Sequence, residues 1–252
     1  MISVTILGAG NVATHLFKAF CASNEVEVRQ WYNRNLDKLQ SYKNVVNTID
    51  DLSQLKRADI YIIAVSDDAV SKLSEKLPFS DRLVVHTSGS VNVYDMDKKN
   101  RRGVFYPLQS FTKSTKIDFK QVPICLETLV KTDYKILKKL ASSISLTVKR
   151  INSDQRAALH LGAVFVNNFT NQLYRVAHEI TESTGAEFDL LKPLILETAN
   201  KVQDLSPYRA QTGPALRNDK KTIRAHLNLI ENQQHEAIYK LITQAIQKTH
   251  GK

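Results

Sequence analysis

Two different periodicities divide this chain of 252 residues at about residue 151. Before that point, short apolar runs alternate with amphipathic segments, which is typical of βαβ units and a parallel sheet. The run "ADIYIIAV" is almost continuously apolar, as expected of a central strand that is covered on both faces. The apolar runs predict strands at 2–7, 26–32, 58–65, 82–87, 103–106, 122–127 and 146–151, with helices at 11–22 and near 132–145.

Only helical periodicity follows Ile151. It predicts one long helix at 153–184 and further helices at 187–205, 219–232 and 235–249, with 206–218 as a loop. Pro193 is a possible kink or helix boundary, and Asp219 is a favourable N-cap. We therefore predict an α/β fold in which residues 1–151 form a Rossmann-type, doubly wound, mostly parallel sheet. Residues 152–252 are predicted to form an all-α domain.

The composition of the chain indicates which classes of ligand and binding partner to expect. Hydrophobic residues make up 42% and charged residues 24% of the chain, as in an ordinary globular protein. The net charge of +10 comes from scattered basic residues without interleaved aromatics, which favours phosphorylated ligands over nucleic acid. The chain has no membrane-length apolar run and no signal-peptide pattern, and its two cysteines form no CxxC motif. We expect a cytoplasmic protein with no nucleic-acid or membrane partner and no metal site.

A glycine motif follows the first predicted strand and opens the first helix. Gly8 and Gly10, with Ala13 in the third small position, fit the GxGxxA variant of the dinucleotide-binding fingerprint. Gly8 would permit the tight turn and Gly10 the approach of a pyrophosphate to the helix N-terminus. The alternative is a glycine turn that binds nothing. The cofactor contacts predicted in this loop are Gly8, Ala9, Gly10, Asn11 and Val12.

The end of the second predicted strand distinguishes NADP from NAD. An NAD enzyme usually has an acidic residue there, whereas this chain reads "WYNRN". Arg34 could bind a 2′-phosphate or stack on adenine, and Asn33 and Lys38 could add hydrogen bonds. The alternative is a solvated polar turn. We predict NADP(H) as the cofactor, with contacts from Asn33, Arg34, Asn35 and Lys38, and from Val65 and Ser66 after the 58–65 run.

Candidate catalytic groups lie in two segments. In "VVHTSGS", His86 could donate a proton and Ser88 could bind a substrate carbonyl or carboxylate at a strand end. On the long helix, His160, Asn167 and Asn171 would share one stripe at about 100° per residue. The alternatives are a structural turn and an interhelical hydrogen-bond network. We predict that His86, Ser88, His160 and Asn167 meet in one cleft between the domains, with Ser88 and the His160 ring within about 12 Å.

The motifs together resemble a known family. The chain is similar to a bacterial group of NADP-dependent oxidoreductases that join a Rossmann-like domain to a helical domain of unknown function. The group is related to deazaflavin-dependent NADP oxidoreductases, pyrroline-5-carboxylate reductases and the 6-phosphogluconate and β-hydroxyacid dehydrogenase superfamily. The resemblance covers nearly the whole chain, through "ILGAGNVA", "WYNRN", "ADIYIIAVSDDAV", "VVHTSGS", "GVFYPLQSF", "AALHLGAVFVNNF" and "TGPALRND".

The resemblance implies a homodimer in which the helical domain completes the active site. Two departures from the wider pattern concern proton transfer. Residues 157–174 lack the lysine that β-hydroxyacid dehydrogenases carry in this helix, and Tyr106 replaces the group's histidine before "PLQ". We predict an NADPH-dependent reductase of a small carbonyl or imine substrate. The alternative hypothesis is a catalytically idle NADP(H)-binding sensor that acts through its helical domain.

Overall fold

The predicted alternation of strands and helices is present in the computed structural model, which describes residues 1–250. One sheet contains the described strands, and three α-helices connect some of them. The helices are α1 (Asn11–Cys21), α2 (Asp67–Glu75) and α3 (Asp133–Ser142). The strands are β1 (Ile2–Leu7), β2 (Val26–Tyr32), β3 (Asn47–Ile49), β4 (Ile60–Ile63), β5 (Leu83–His86), β6 (Arg101–Pro107), β7 (Ile124–Thr128) and β8 (Val148–Arg150).

The strand order is β3-β2-β1-β4-β5-β6-β7-β8. The first six strands are parallel and follow the 3-2-1-4-5-6 order of doubly wound dinucleotide-binding folds. Strand β7 is antiparallel to β6, and β8 is parallel to β7. The prediction of a Rossmann-type, mostly parallel sheet followed by helices is therefore confirmed. The carboxyl ends of β1, β4, β5 and β6 meet at one edge, where ligands bind in such sheets.

Central strand β4 shows why the apolar run predicted a doubly covered strand. Ile60 and Ile62 pack into the apolar cluster on one face of the sheet, whereas Tyr61 and Ile63 pack into the cluster on the other. All four side chains are buried. Helix α1 covers the first face with Leu16 and neighbouring apolar side chains.

Two short elements of this region escaped the sequence analysis. Strand β3 has only three residues and pairs with β2 through Gln30 and Asn47. The segment of helix α2 does carry a short apolar stripe, Val70, Leu73 and Leu77, which packs against the sheet, so its spacing could have predicted a helix. Strand β3 is stabilised by pairing with an existing edge, which leaves no local pattern.

The helices after β8 are α4 (Ser153–Ala163), α5 (Thr170–Ser183), α6 (Lys192–Asp204), α7 (Pro207–Ala210), α8 (Lys220–Leu229) and α9 (Gln233–His250). A π-helical segment, Val164–Phe169, joins α4 to α5. The predicted long helix is therefore continuous but not regular. Pro193 lies in the first turn of α6, so of its two predicted roles the structure shows the helix boundary and not the kink.

Two local predictions from the C-terminal half have different outcomes. The N-cap role of Asp219 is confirmed, because its carboxylate accepts hydrogen bonds from the amide and the hydroxyl of Thr222. The prediction that 206–218 is entirely loop is wrong, because α7 forms within it and Ser206 caps its start.

The chain forms two compact units. The first comprises Met1–Asn167, and the second begins at Asn168. Helix α4 thus belongs to the unit that contains the sheet. The predicted functional division at residues 151 and 152 stays a prediction.

Candidate dinucleotide and substrate site

The turn at Gly8 requires glycine. Gly8 has φ +117°, and a Cβ atom there would lie 2.3 Å from the carbonyl oxygen of Ala64. Its amide donates to Tyr32 O (2.8 Å), and its carbonyl accepts from the Trp31 indole N–H (2.6 Å). The chain therefore turns sharply at the carboxyl end of β1, in close contact with the ends of β2 and β4.

Gly10 differs from Gly8 because it leaves open space at the N-terminus of α1. It occupies the N-cap of α1 without a side-chain cap, it is exposed, and a Cβ atom there would meet nothing within 4 Å. The first amides of a helix have no intrahelical acceptor and carry a partial positive charge. Open space above such amides fits a pyrophosphate. The Asn11 side chain is already engaged, because it donates to Phe111 O at 2.8 Å. Ala9 is buried and Val12 is half-buried.

The predicted 2′-phosphate residues divide into two groups. Asn33 donates to Asn35 O (2.6 Å), and Asn35 accepts from the Asp37 amide (2.9 Å), so both amides organise the turn after β2. Arg34 and Lys38 are exposed, and neither side chain has a hydrogen bond or an ion pair within the described part of the chain. These two cations are therefore available for an anionic ligand.

Val65 and Ser66 follow β4 beside the glycine loop. A Cβ atom on Gly8 would lie 2.8 Å from Cγ1 of Val65, so the two segments are in contact. Ser66 is exposed at the N-cap of α2, and its hydroxyl makes no capping bond. Its hydroxyl is thus free to face a bound dinucleotide.

His86 is buried in the sheet. Its Nδ1 accepts a hydrogen bond from the Ser88 amide at 3.1 Å, and its Nε2 has no partner among the described residues. Burial, with a smaller contribution from the positive charge of Arg156, lowers the pKa of His86 to about 3. The imidazole is neutral near pH 7, which favours a structural role over proton donation.

The hydroxyl of Ser88 is directed into its own turn. Its oxygen accepts from the amides of Ser90 (3.1 Å) and Val91 (3.0 Å). The Ser90 hydroxyl in turn donates to the Asp67 carboxylate at the start of α2. These bonds hold the turn after β5 in one conformation, as the structural interpretation of "VVHTSGS" expects.

His160 lies against this turn. A Cβ atom on Gly89 would be 2.6 Å from Nδ1 of His160, so only glycine leaves room for the imidazole. Covalent geometry then limits the distance between Ser88 Oγ and the His160 ring to about 10 Å, inside the predicted 12 Å. The Tyr106 hydroxyl lies 3.2 Å from the same Nδ1. A half-buried histidine thus meets a glycine turn and a phenol at the ligand-binding edge of the sheet.

Tyr106 and Arg156 are site residues that the sequence analysis did not propose. Tyr106 is buried, and burial raises its pKa to about 12, so it stays a neutral phenol. Arg156 is also buried and forms an ion pair with Glu127. Its guanidinium further donates to Val91 O and to Ser153 Oγ. These bonds attach the start of α4 to β7 and to the turn after β5.

Position along α4 could have revealed Arg156. It precedes His160 by four residues, which places both side chains on one face of the helix. A lone arginine among polar helix residues is usually solvated, however, so the sequence carries no signal that it is buried.

Asn167 does not join the cluster around His160. It lies in the π-helical segment, about 10 Å further along the helix axis, and is exposed. The predicted stripe through His160, Asn167 and Asn171 assumed a regular α-helix. That assumption is wrong at Val164–Phe169, because the wider turns of a π-helix change the angular spacing.

Residues 1–250 contain no cluster of three or more histidine, cysteine or acidic side chains arranged to hold a metal ion. No helix in that range combines the length and hydropathy needed to cross a bilayer. The cytoplasmic location stays a prediction.

Comparison with family models agrees with the fold and the glycine loop. Residues 3–89 match the family "NADP oxidoreductase coenzyme F420-dependent", and residues 122–246 match "Domain of unknown function (DUF2520)". No curated protein matches the chain.

Solved structures extend the comparison. The "putative NADP oxidoreductase BF3122" of Bacteroides fragilis is 35% identical, with 98% of each chain covered and a TM-score of 0.87. An imine reductase of Streptomyces aurantiacus is 13% identical, with 98% of this chain and 95% of that chain covered (TM-score 0.75). An imine reductase of Myxococcus stipitatus in complex with NADP+ is 19% identical, with 100% and 96% covered (TM-score 0.66). At such identities the two imine reductases show a shared fold only.

The sheet, its glycine loop and the family match define a Rossmann-fold oxidoreductase. The chain belongs to the family of NADP oxidoreductases whose nucleotide-binding domain is followed by a DUF2520 domain. NADP(H) is accordingly its cofactor, and a small molecule is its substrate. The match supports the oxidoreductase hypothesis over the idle sensor.

Proposed function

We propose that this protein is an NADPH-dependent reductase of a small carbonyl or imine compound. The observation that carries the proposal is the hydrogen-bonded pair of His160 and Tyr106 beside Gly89, at the same sheet edge as the glycine loop. Strands β1 and β5 are separated only by β4, which puts the two turns about 10 Å apart across the sheet. That separation suits a nicotinamide and a small substrate.

The cofactor would lie on the glycine loop, with its pyrophosphate at Gly10 and its 2′-phosphate at Arg34 and Lys38. When bound, it supplies the hydride that the carbon of the C=O or C=N group accepts. The protein must then stabilise or protonate the heteroatom on which charge develops. The substrate class follows from this assignment of the hydride to the cofactor and of the proton to the protein, because the reduction of a carbonyl or an imine needs one of each.

His160 is the proposed proton donor. Its Nδ1 faces the Tyr106 hydroxyl, which leaves Nε2 to face a substrate. The phenol fixes the orientation of the ring and does not supply the proton, because its pKa of about 12 keeps it protonated. Tyr106 is thus a positioning residue for His160.

His86 and Ser88 have supporting roles in this proposal. The neutral His86 ring and the Ser88 hydroxyl accept hydrogen bonds from the backbone amides of the turn after β5 and so fix its shape. The imidazole of His160 packs against this turn at Gly89. The Ser88 oxygen also lies 3.3 Å from Ser90 Oγ, and the Ser90 hydrogen is donated to Asp67, so substrate binding by Ser88 would require its hydroxyl hydrogen to leave Ser90. Asn167 stays a candidate for substrate contact.

Steady-state oxidation of NADPH across a panel of keto acids, ketones, aldehydes and cyclic imines tests the proposal. We expect turnover with at least one class, and a loss of about 100-fold or more in kcat for His160→Ala, the scale for removal of a general acid. Asp154→Ala, at an exposed position of the same helix, is the matched control. Full activity of the His160 variant would refute its role.

We also propose a homodimer formed through the helices after β8. This unit exposes many large apolar side chains, more than a monomer usually shows, and such surfaces mark interfaces. Leu190, Leu194, Leu196, Leu229 and Leu241 are each more than 60% exposed. Light scattering should give twice the chain mass of 28.5 kDa at micromolar concentration, and a monomer there would contradict the proposal.

A further inference from the structure

A large groove lies in the first unit, on the face of the sheet that α1 covers. It encloses about 820 Å³, within the range of small-molecule sites. One wall is the face of α1 that carries His15, Lys18 and Ala22, and the other is the segment 113–120 between β6 and β7. Ser143 and Ile144, after α3, close one side. The proposed reaction uses none of these residues.

The groove is strongly basic. Four lysines line it, and none of their ammonium groups has a carboxylate within 4.0 Å among the described residues. Asp118 is the one acidic residue of the lining, and its carboxylate is engaged as the N-cap of a short helix, where it accepts the Lys120 amide at 3.1 Å. The lysines are Lys18, Lys113, Lys116 and Lys120.

The remainder of the lining is apolar or hydroxylic. Phe119 and Ile144 are buried core residues that form part of the floor, together with Ala19 and Ala22 of α1. Ser114 and Thr115 add hydroxyls on the same wall as three of the lysines. Ammonium and hydroxyl donors above an apolar floor suit a ligand that joins several negative charges to a ring or short chain.

The lysine-bearing wall is anchored to α1. The His15 imidazole is buried, and its Nε2 lies 2.9 Å from Thr112 O. Asn11 donates to Phe111 O, and the Phe111 ring stacks on Phe119 with centroids 5.9 Å apart. The two ends of the wall are therefore held in place before any ligand arrives, which lowers the entropic cost of binding.

We propose that this groove binds an organic polyphosphate at a site separate from the NADP(H) site. Lys18 lies about 12 Å along the helix axis from Gly10, where the pyrophosphate of the cofactor would bind. The same helix would thus serve two phosphate ligands, one at its N-terminus and one along its exposed side.

Isothermal titration calorimetry on the full chain saturated with NADP+ tests this site, because the saturated glycine loop and Arg34 cannot bind the probe. The probes are inorganic tripolyphosphate and ATP. We expect both to bind, and ATP more tightly because its base can cover the apolar floor. The double variant Lys113→Ala/Lys116→Ala should raise both dissociation constants about tenfold or more.

Lys135→Ala/Lys138→Ala is the matched control, since it removes the same charge from exposed positions of α3 that do not line the groove. It should bind both probes like the wild type. An equal loss in the control would show that net charge alone attracts the probes. If neither probe binds to the NADP+-saturated wild type, the second site is refuted. If tripolyphosphate and ATP bind with equal affinity, the groove does not recognise the organic group of its ligand.

Discussion

The hydroxyl of Tyr106 lies 3.2 Å from Nδ1 of His160, although 54 positions separate the two residues in the sequence. Their rings meet edge to face, with centroids 6.2 Å apart. Strand β6 supplies the phenol and helix α4 the imidazole, so the pair exists only because α4 folds back onto the sheet. The ion pair of Arg156 with Glu127 holds the helix in that position.

Replacement of Tyr106 by phenylalanine should lower kcat by about tenfold with little change in KM, because the ring of His160 loses its orienting partner. Tyr94→Phe, at an exposed tyrosine, is the control and should be unchanged. A change in KM as large as the change in kcat would contradict the positioning role of Tyr106.

Alanine at Gly89 should destabilise the protein by about 1–3 kcal/mol, the scale of overpacking, because its Cβ would lie 2.6 Å from the His160 ring. Chemical denaturation measures the change. The double variant Gly89→Ala/His160→Gly should be no less stable than His160→Gly alone, because the ring and the His160 Cβ, which would lie 2.9 Å from the added methyl group, are then both absent. A further loss in the double variant would show that the His160 side chain is not what the methyl group meets.

The two glycines of the cofactor loop should respond differently to alanine. Gly8→Ala places a side chain at φ +117° and 2.3 Å from a carbonyl, so the free energy of unfolding should fall by about 3 kcal/mol or more. Gly10→Ala meets open space and should change it by less than about 1 kcal/mol. Gly10→Ala should nevertheless raise the Kd of NADPH tenfold or more, as measured by fluorescence titration. Unchanged NADPH binding would exclude Gly10 as a cofactor contact.

Arg34→Ala should weaken NADPH binding by about 1–3 kcal/mol and leave NADH binding nearly unchanged, because only NADPH carries the 2′-phosphate. Titration with each cofactor gives the two dissociation constants. Arg57→Ala, another exposed arginine of the same unit, is the control. Equal losses for the two cofactors would mean that Arg34 does not distinguish them.

Protonation of His86 should destabilise the fold in mild acid. Its folded pKa of about 3 lies below the value of about 6.5 for an unfolded histidine, so the unfolded chain binds more protons between these values. Its contribution to stability is complete above about pH 6.5 and is lost progressively towards pH 3. Between pH 7 and pH 5 the loss should be about 2 kcal/mol. Urea unfolding at several pH values gives the free energy of unfolding of the wild type and of His86→Asn, and this loss should occur only in the wild type. An equal dependence of that free energy on pH in the two proteins would contradict the prediction.

Local physics was sufficient for most of the sheet. Strand Ile2–Leu7 was predictable at both ends because its short apolar run, rich in β-formers, stops at the glycine turn. The glycine loop was predictable from its spacing and its place after a strand, and Gly8 meets a backbone requirement that few other residues satisfy. These features depend on residues that are neighbours in the sequence.

The tertiary structure decided what the sequence left open at the site. Whether His86 or His160 is the better proton donor depends on burial, and burial follows from the packing of the whole sheet. Tyr106 and Arg156 became visible as partners of His160 and Glu127 only when β6, β7 and α4 were placed together. The π-helical segment also escaped prediction, because its residues have no local preference for the wider turn. Contacts between residues that are distant along the chain arise from packing, which no local pattern encodes.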